Sequence, residues 1–596
     1  MATGVVFIPR DRKPTPTTSS APKSGEFREH LFQRAAWLMM VITVLMGGCT
    51  YRLIHLQLID GQKNLERAEA NRIRMIPLRA DRGNIVDRNG VYLATNQLSR
   101  SLYFWPRQHS PQAWQQIAAQ VSPIVGIPVP EILQRLETVG YDSPLPVRIA
   151  QQLNPNAFVA ISEKSEQWPG VEIIPETSRV YPKGKLAAHA LGYLGEASEE
   201  DMQAHPDYPS GMIVGKMGVE QFANDRLAGV WGNRLVEVDA RGKEHQLLGT
   251  QPAQSGSTVQ LTLDAAMQTA AERALGARRG AVVALDVRTG AVLTLASTPA
   301  FDPNIFTHRI TEAEWNSLHE GDQPFLNRAL QPYPPGSTFK IVTSVAGMES
   351  GKFNPGSVLG TAAFITVGDT QFWEHSKQGY GTIGFVDALA YSSNTFFYQV
   401  GMAVGPEAIA KWGGILGIGT TSDMGLLGFT PGMIPTPAQK ETIFGEPWYV
   451  GDTVSTAIGQ GLVQVTPLEL AVMVAAIANG GSRVHPHLLT SETALPDMHP
   501  EPTGIASDVI SVIQAGLKAT VQRGTAQVLN DGSIPPSAGK TGTSEVLGQE
   551  SHALFVGYAP ADNPQIAVAV IVENGGYGGV AAVPVAKEVY KAYFKK

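Results

Sequence analysis

The most apolar part of the chain is AAWLMMVITVLMGGCTY, a run of 17 residues between Arg34 and Arg52 without a charged side chain. At 1.5 Å rise per residue, a helix of this length is near the short end of what crosses a bilayer. Trp37 and Tyr51 lie at its two ends, which suits the aromatic belts of a membrane interface. We predict one transmembrane helix, residues 35–55; the alternative is a buried helix near the N-terminus.

The residues before this span have too few apolar side chains to form a hydrophobic core. Residues 13–25 are rich in Pro, Ser and Thr, so we expect a disordered tail over residues 1–34. Its basic residues favour a cytoplasmic N-terminus. The length of this tail and the lack of a cleavage site just beyond the span favour an uncleaved anchor. Lipidation at Cys49 is a weaker alternative, because this cysteine lies too deep in the chain.

Residues 56–256 mix two hydrophobic periods. Apolar residues recur at helical spacing up to Gly61, and further on short β-like runs (IRMIPL, SLYFW, PVRIA, VEIIP) alternate with amphipathic helical stretches near Trp114 and Ile132. Segments 79–90 and 215–232 are dense in charge and turn residues, which is typical of turns and capped helices. We predict a mixed α/β pedestal without a catalytic motif.

A second α/β domain is predicted for residues 257–596. VQLTLD leads into the helical pattern AAMQTAAERAL, and AVVALDVRTGAVLTLAST predicts two strands joined by a short turn. Near the C-terminus, SHALFVGYAP and QIAVAVIVENGG predict two more strands before a helix over 586–593. Both ends of the domain can therefore contribute to one sheet.

The composition and the residue counts exclude several classes of protein. The 596 residues are 43% hydrophobic and 17% charged, with 61 Gly and 41 Pro, which is typical of a loop-rich globular protein. A net charge of −7 argues against nucleic acid as the main partner. The single Cys49 excludes an intrachain disulfide. The sequence has no repeat of 20 to 50 residues and no glycine-rich phosphate loop.

The strongest chemical signal is the Ser-x-x-Lys pattern of YPPGSTFK, in which Ser337 opens a predicted helix that contains Lys340. Residues three apart share a helix face, so the Lys340 amine can reach the Ser337 hydroxyl and take its proton. Free N–H groups at the helix N-terminus can stabilise an oxyanion. Taken alone, the tetrad is also typical of a capping serine followed by a surface lysine.

Two later motifs change that balance. Ser392 and Asn394 form a Ser-x-Asn motif between apolar stretches, and Lys540, Thr541 and Gly542 stand immediately before the predicted strand around residues 554–558. The leading residues of the three motifs are 55 and 148 residues apart. This order is the signature of penicillin-binding proteins and class A β-lactamases.

More of the chain resembles class B penicillin-binding proteins of the elongation type: RADRGNIVDRNG from Arg79, the block 215–232, PWYVGDTVSTAIGQG from Pro447 and TPLELA from Thr466. The resemblance implies an elongated pedestal and a C-terminal domain with a five-stranded antiparallel sheet, flanking helices and a helical lobe. It also implies a D,D-transpeptidase that faces the periplasm from the cell membrane and cross-links stem peptides.

The resemblance assigns a role to each motif residue. Ser337 is the expected nucleophile, Lys340 its base and Ser392 a proton relay, while Asn394 is expected to bind the substrate amide. Lys540 and Thr541 are expected to hold the substrate carboxylate, and Gly542 lets backbone approach the substrate. The expected oxyanion hole consists of the backbone N–H groups of Ser337 and Thr543.

The resemblance also implies partners: stem peptides ending in D-Ala-D-Ala, a separate SEDS-type glycan polymerase, rod-complex scaffold proteins, and β-lactams as inhibitors. No cofactor is expected. Some relatives hold a structural zinc through Asp, His and a Cys inside the Ser-x-Asn motif, but Ser393 stands at that position here. We therefore expect no metal at Asp369 and His375. His485 and His487 are interpreted as turn and packing residues.

Three rival functions use the same features. A membrane-anchored β-lactamase of class A needs a further glutamate for deacylation, and no Glu-x-x-Leu-Asn follows Ser337. A β-lactam-sensing receptor usually has several spans and a cytoplasmic effector. A non-catalytic wall-synthesis scaffold would not need the intact reactive positions.

Overall fold

The structure is a computed structural model that describes residues 26–65, 73–143, 145–206, 208, 211–238, 244–308, 310–319, 321–421 and 424–595. Residues 1–25 of the predicted disordered tail lie outside the described residues. The chain divides into two units, Met1–Met75 with Leu235–Gly249, and Ile76–Arg234 with Thr250–Lys596. Most of the predicted pedestal thus shares a unit with the C-terminal domain, and the domain boundary at residue 256 stays a prediction.

A long N-terminal helix, α1, covers Glu26–Ile54 and continues as a π-helical turn, His55–Ile59. Its apolar stretch Phe32–Ile59 has 28 residues, none of them buried, and within the described residues it is the one helix long and apolar enough to cross a membrane. The helix begins before the predicted span, so residues 26–34 are not a disordered tail. No Pro or Gly interrupts residues 26–46, so nothing breaks the helix there.

The pedestal consists of short strands and helices around one long strand. Its strands are β1 (Ile73–Leu78), β2 (Ile85–Val86), β3 (Tyr92–Phe104), β4 (Val147–Ala150), β5 (Val171–Val180), β6 (Leu194–Glu196), β7 (Ile213–Gly215), β8 (Gly232–Val238) and β9 (Glu244–Gln251). Its helices are α2 (Pro111–Val125), α3 (Val129–Val139), α4 (Pro155–Ser162), α5 (Ala188–Leu191), α6 (Glu199–Ala204), α7 (Gly218–Phe222) and α8 (Asn224–Leu227). The predicted strands and the helices near Trp114 and Ile132 are confirmed.

Strand β3 organises this region, because it pairs antiparallel with both β4 and β5. Helices α2 and α3 pack on this sheet through a separate apolar core that includes Phe104, Trp114 and Ile132. Helix α2 begins where Ser110 accepts a hydrogen bond from the Ala113 N–H and Pro111 occupies the first helical position. Strands β1, β8 and β9 form a further three-stranded sheet.

A buried ion cluster joins the two charged segments of the pedestal. Glu220 is completely buried and accepts hydrogen bonds from Arg82 Nε and Arg179 Nε, both at 2.7 Å, and from the Tyr181 hydroxyl at 3.2 Å. Burial raises the pKa of the Glu220 carboxyl, but the two guanidinium groups outweigh this effect and hold it below its ordinary value. The two segments were predicted as turns and capped helices, and in addition their charged residues connect distant parts of the chain.

The C-terminal domain is built on a five-stranded antiparallel sheet, as the resemblance implied. Its order is β12 (Val292–Thr298), β11 (Gly280–Asp286), β21 (Ile566–Val572), β20 (His552–Ala559) and β19 (Ala538–Ser544). The first and last segments of the domain therefore meet in the middle of the sheet, between β11 and β21. In the segment VQLTLD, two residues form strand β10 (Val259–Gln260), and the helix predicted after it is confirmed.

Both faces of this sheet are buried, which explains its continuous apolar strands. On β11, Val283 faces a core shared with helices α11 (Lys340–Glu349) and α17 (Pro467–Ala478), while Val282 faces a core shared with α9 (Ala265–Leu275) and α20 (Val583–Phe594). Every residue of α17 is buried, so this apolar helix is a core element.

The remaining elements complete the helical lobe and the edges of the domain. The helices are α10 (Glu312–His319), α12 (Phe385–Tyr391), α13 (Asn394–Val404), α14 (Pro406–Ile415), α15 (Pro437–Phe444), α16 (Val450–Ala457), α18 (Ser507–Arg523) and α19 (Gly578–Ala581). Two antiparallel hairpin pairs, β13 (Val358–Thr361) with β16 (Gly381–Gly384) and β14 (Phe364–Val367) with β15 (Thr370–Trp373), precede α12. Strands β17 (Ser482–Arg483) and β18 (Glu501–Pro502) form a short pair.

Candidate active site

Ser337 lies on a tight turn before a buried helix. The turn is a 3₁₀-helix, Gly336–Phe339, and α11 follows directly with Lys340 as its first residue. Side chains three residues apart eclipse each other in 3₁₀ geometry, so Ser337 and Lys340 lie on the same side. Gly336 has a φ of +54°, and its N–H donates to the Gly459 carbonyl at 2.9 Å. This bond fixes the turn against the loop after α16.

Lys340 is completely buried and connects the turn to the Ser-x-Asn motif. Its Nζ donates to the Ser392 carbonyl at 2.7 Å, to Asn394 Oδ1 at 2.6 Å and to Ser392 Oγ at 3.3 Å. Within the described residues, these hydrogen bonds replace the predicted one to Ser337. The reason is that all three N–H groups of the ammonium point at the acceptors of the motif.

Ser392 is the meeting point of two buried lysines. Its Oγ accepts from Lys540 Nζ at 2.8 Å, in addition to the contact with Lys340. Ser392 ends helix α12 with a φ of +58°, a left-handed conformation that is uncommon for a residue other than glycine. Lys540 also donates to the Thr541 carbonyl at 3.0 Å. The Ser392 hydroxyl thus lies within hydrogen-bonding distance of both amines, and its role as a proton relay stays a prediction.

Burial perturbs both lysines strongly. Burial lowers the pKa of the Lys340 amine to about 7, although the negative charge of Glu374 opposes the shift. Burial also lowers the pKa of Lys540 well below its ordinary value, and the nearby charge of Lys340 adds to this effect. A buried amine with a pKa near 7 can exchange protons at physiological pH, which a general base requires.

The strand predicted around residues 554–558 is β20, and Lys540 to Thr543 lie on the strand before it, β19, at the edge of the sheet. Lys540 pairs with Val556 and Gly542 with Leu554 of β20. A Cβ on Gly542 would lie 3.0 Å from the Pro335 carbonyl oxygen and 2.9 Å from Thr338 Cγ2. The glycine therefore lets the nucleophile turn approach the strand closely. A Cβ on Gly336 would likewise meet the Thr543 carbonyl oxygen at 2.6 Å.

The backbone of Thr543 thus lies beside the turn of Ser337, and the oxyanion hole expected from their N–H groups stays a prediction. The Thr541 hydroxyl, expected to bind a carboxylate, shares a hydrogen bond of 2.5 Å with the Thr525 hydroxyl. Gln460 Nε2 donates to the Thr543 carbonyl at 3.3 Å. The contacts of Lys340, Ser392, Asn394 and Lys540, and the close approach of the nucleophile turn to Gly542 and Thr543, thus bring the three motifs together at one place in the fold.

The residues considered for metal binding have other surroundings. Asp369 lies in the turn between β14 and β15, and His375 follows β15 with its ring 5.9 Å from that of Tyr577. His487 is buried, and its ring nitrogens face the His485 carbonyl at 3.0 Å and Thr493 Oγ1 at 2.9 Å. In the described part of the chain, no group of three or more His, Cys, Asp or Glu residues is placed to hold a metal ion.

Comparison with known proteins identifies the family. A family model described as the penicillin binding protein transpeptidase domain matches residues 280–591, and one described as the penicillin-binding protein dimerisation domain matches residues 77–261. Peptidoglycan D,D-transpeptidase MrdA of Acinetobacter baumannii is 32% identical over 95% of this chain and 87% of the relative. The chain belongs to the class B penicillin-binding proteins. Within this class it is of the penicillin-binding protein 2 type, as the resemblance indicated.

Further relatives of this penicillin-binding protein support the same family assignment. The MrdA protein of Escherichia coli K12 is 30% identical over 92% of each chain. The structure of penicillin-binding protein 2 in complex with MreC from Helicobacter pylori has a TM-score of 0.77, with 26% identity over 88% of this chain and 98% of that chain. A peptidoglycan synthase complex that coordinates polymerization and crosslinking has a TM-score of 0.69, with 30% identity over 94% of this chain and 98% of that chain.

Three side chains near the site of this penicillin-binding protein escaped the sequence analysis: Glu374, Gln460 and Thr525. Glu374 is 2% exposed and contacts the start of α13, which contains Asn394. Each becomes relevant only through a contact with a residue 16 to 83 positions away. The one signal at Glu374 is an acidic residue that directly follows the apolar strand FW of β15. That pattern is too common to single it out.

Proposed function

We propose that this chain is a serine D,D-transpeptidase that cross-links peptidoglycan stem peptides during cell-wall elongation and is acylated by β-lactams at Ser337. The observation that carries the assignment is the Ser392 hydroxyl, which accepts hydrogen bonds from two buried lysines directly behind the nucleophile turn. The MrdA relatives are named for this activity. The contacts that join the three distant motifs support the same chemistry.

The first half-reaction is acyl transfer to the enzyme. Ser337 Oγ attacks the carbonyl carbon of the penultimate D-Ala, and its proton passes to neutral Lys340 Nζ. The backbone N–H groups of Ser337 and Thr543 stabilise the oxyanion. The C–N bond then breaks, and the leaving D-Ala amine takes a proton through Ser392. Thr541 and Lys540 hold the terminal carboxylate until it leaves.

The second half-reaction returns the serine. The amine of another stem peptide attacks the ester carbonyl, loses a proton to the Lys340–Ser392 pair and displaces Ser337 Oγ, which is reprotonated. Asn394 orients the amide of the donor peptide. When water replaces the amine, the product is a shortened peptide, so the same site has the potential for carboxypeptidase activity.

The test is the intact mass of the full chain after a pulse of benzylpenicillin, measured beside Ser337→Ala. The matched control is Ser511→Ala, which removes an exposed hydroxyl of α18. We expect one long-lived adduct on wild type and on the control, and none on Ser337→Ala. An adduct that disappears within minutes points to a β-lactamase. No adduct on wild type points to a scaffold, and an adduct on Ser337→Ala refutes the assignment.

Transfer and hydrolysis are separated with a stem pentapeptide and a labelled D-amino acid. A transpeptidase exchanges the terminal D-Ala for the labelled residue, whereas a carboxypeptidase yields only tetrapeptide. We expect label in the peptide with wild type and neither product with Ser337→Ala. Tetrapeptide alone would contradict transpeptidation.

The apolar helix supports a further part of the proposal: the chain is a single-pass protein of the cell membrane, with its N-terminus in the cytoplasm and its catalytic domain outside it. One relative was solved with MreC and another in a peptidoglycan synthase complex. We therefore infer that this chain works with a SEDS-type glycan polymerase and rod-complex scaffold proteins. Protease treatment of spheroplasts tests the topology: digestion of the catalytic domain from outside is expected, and its protection would contradict the orientation.

A further inference from the structure

Glu374 is a buried carboxylate with an unusually complete set of donors. Its Oε1 accepts from the N–H groups of His375 at 3.0 Å and Asn394 at 2.6 Å. Its Oε2 accepts from Ser393 Oγ at 2.7 Å, the Thr395 N–H at 3.0 Å and Thr395 Oγ1 at 2.8 Å. A buried charge is tolerated only when its lone pairs are satisfied, and here five donors satisfy them.

Four of these donors belong to the first residues of α13 and to Ser393 before it. The Asn394 and Thr395 N–H groups are free of helical partners, because the first turn of a helix has no preceding carbonyls. A negative charge at this end also interacts favourably with the helix dipole. Ser393 Oγ accepts from the Phe396 N–H at 3.3 Å while it donates to Glu374. Glu374 therefore holds the beginning of α13 in place.

The segment held in this way is the Ser-x-Asn motif. Ser392 and Asn394 flank Ser393, and both contact Lys340. The preceding residue adds a second constraint, because the Trp373 carbonyl accepts from Asn394 Nδ2 at 3.1 Å and so turns Oδ1 of that amide toward Lys340. Residues 373–374 thus fix both the backbone and the amide of the motif. The left-handed conformation of Ser392 needs such a restraint.

The charges that face Lys340 come from several elements: Glu374 after β15, Lys540 on β19 and His375 beside Glu374. Of these three groups, Glu374 carries the negative charge. Its charge opposes the effect of burial and keeps the pKa of Lys340 higher than burial alone would leave it. The carboxylate therefore connects the geometry of the motif with the protonation of the base.

We propose that Glu374 is a positioning residue of the transpeptidase, which sets the placement of Ser392 and Asn394 around Lys340 and, through its charge, the pH range of acylation. The inference rests on the proposed function and deepens it. Glu374 does not touch the reacting atoms. It acts through the motif that does.

The test compares Glu374→Gln with a matched control, Glu469→Gln. Glu469 is likewise a completely buried helix-capping carboxylate, which accepts from Thr466 N–H at the start of α17 and from the Gly419 and Gly432 N–H groups. Both variants lose a buried charge and a helix cap, so both are expected to melt at a lower temperature. Of the two carboxylates, Glu374 contacts the Ser-x-Asn motif, whereas Glu469 caps a different helix.

The readout is the benzylpenicillin acylation rate of the full chain from pH 5 to 9, well below the melting temperatures. We expect Glu374→Gln to lower the plateau rate about 10- to 100-fold, since a small misplacement of catalytic groups has effects of this size. We also expect its pH midpoint to move to lower pH, because the charge that raises the pKa of Lys340 is gone. Glu469→Gln is expected to keep the wild-type plateau and midpoint.

A second variant covers the case in which Glu374→Gln does not fold. Thr395→Val removes one hydroxyl donor to the carboxylate and keeps its charge, so a lower plateau with an unchanged midpoint is expected. Wild-type plateau and midpoint in Glu374→Gln, or equal losses in Glu469→Gln, would overturn the inference while leaving the proposed function intact. Absence of acylation at Ser337 in wild type would instead overturn the proposed function.

Discussion

The ammonium group of Lys540 donates a hydrogen bond to the hydroxyl of Ser392 at 2.8 Å, although the two residues are 148 positions apart. Both side chains are buried, and Lys340 lies on the other side of the same hydroxyl. Two amines that share one hydroxyl in a buried site disfavour double protonation, since each positive charge lowers the affinity of the other amine for a proton. Burial of the two amines therefore costs folding free energy, and it also leaves one of them able to lose its proton near neutral pH.

Lys540→Met tests both effects of the buried Lys540 amine, the one on stability and the one on acylation. The substitution removes a buried amine and keeps an unbranched chain of similar length, so we expect a thermal stability equal to or above that of wild type. We expect the acylation rate to fall about 100-fold, because Ser392 loses its shorter hydrogen bond and the substrate carboxylate its cation. Lys518→Met, at an exposed ion pair with Asp562, is the control with little effect on either quantity. A strongly destabilised Lys540→Met with normal acylation would contradict the prediction.

The pH dependence of acylation follows from Lys340. With its pKa lowered to about 7, the amine is protonated below that pH and cannot accept the Ser337 proton. The acylation rate should therefore rise about tenfold per pH unit below 7 and level off above it. Stopped-flow or quenched labelling with benzylpenicillin measures this profile.

Lys340→Arg provides the control for this profile, because a guanidinium stays charged over the whole range. We expect no labelling of this variant at any pH between 5 and 9. A wild-type rate that is constant over that range would show that Lys340 is not the base.

Gly542→Ala tests the close approach of the nucleophile turn to β19. The new Cβ would lie 3.0 Å or less from Thr338 Cγ2 and the Pro335 carbonyl oxygen, so the turn has to move. We expect the acylation rate to fall about 10- to 100-fold. Gly414→Ala in α14, where nothing lies within 4 Å of a new Cβ, should leave the rate unchanged. Equal rates for the two variants would show that the turn tolerates the displacement.

Glu220→Gln tests the ion cluster of the pedestal. Without the carboxylate charge, Arg82 and Arg179 stay buried without a counter-charge, and we expect the free energy of unfolding to fall by about 3 to 5 kcal/mol. The control is Glu501→Gln, at the more exposed ion pair with Arg483, with an expected loss below about 1 kcal/mol. Chemical denaturation of the full chain in detergent measures both. A loss below 1 kcal/mol for Glu220→Gln would contradict the structural role of the cluster.

The sequence by itself determined the features that depend on neighbours within a few residues. The apolar run before Arg52 predicts a long helix, and short continuous apolar runs bounded by turn residues predict β11, β12, β20 and β21, because these patterns depend on neighbouring residues alone. The pairing of Ser337 with Lys340 also follows from spacing, since residues three apart share a side in one helical turn. The sequence motifs predicted the family, and the resemblance to that family implied the five-stranded sheet; the comparisons and the fold confirm both. The catalytic roles of the motif residues stay predictions.

The tertiary structure alone decided the features that depend on distant contacts. Four of the residues 538–544, Ala538, Gly539, Lys540 and Gly542, have low strand propensity, and the segment forms β19 because β20 supplies the hydrogen-bonding partner. Glu374 and Glu220 look like ordinary surface acids in the sequence, and they acquire their roles when folding removes them from water and brings their donors within reach. The lowered pKa of Lys340 has the same origin. Burial is a property of the packed molecule, because it depends on atoms that are remote along the chain.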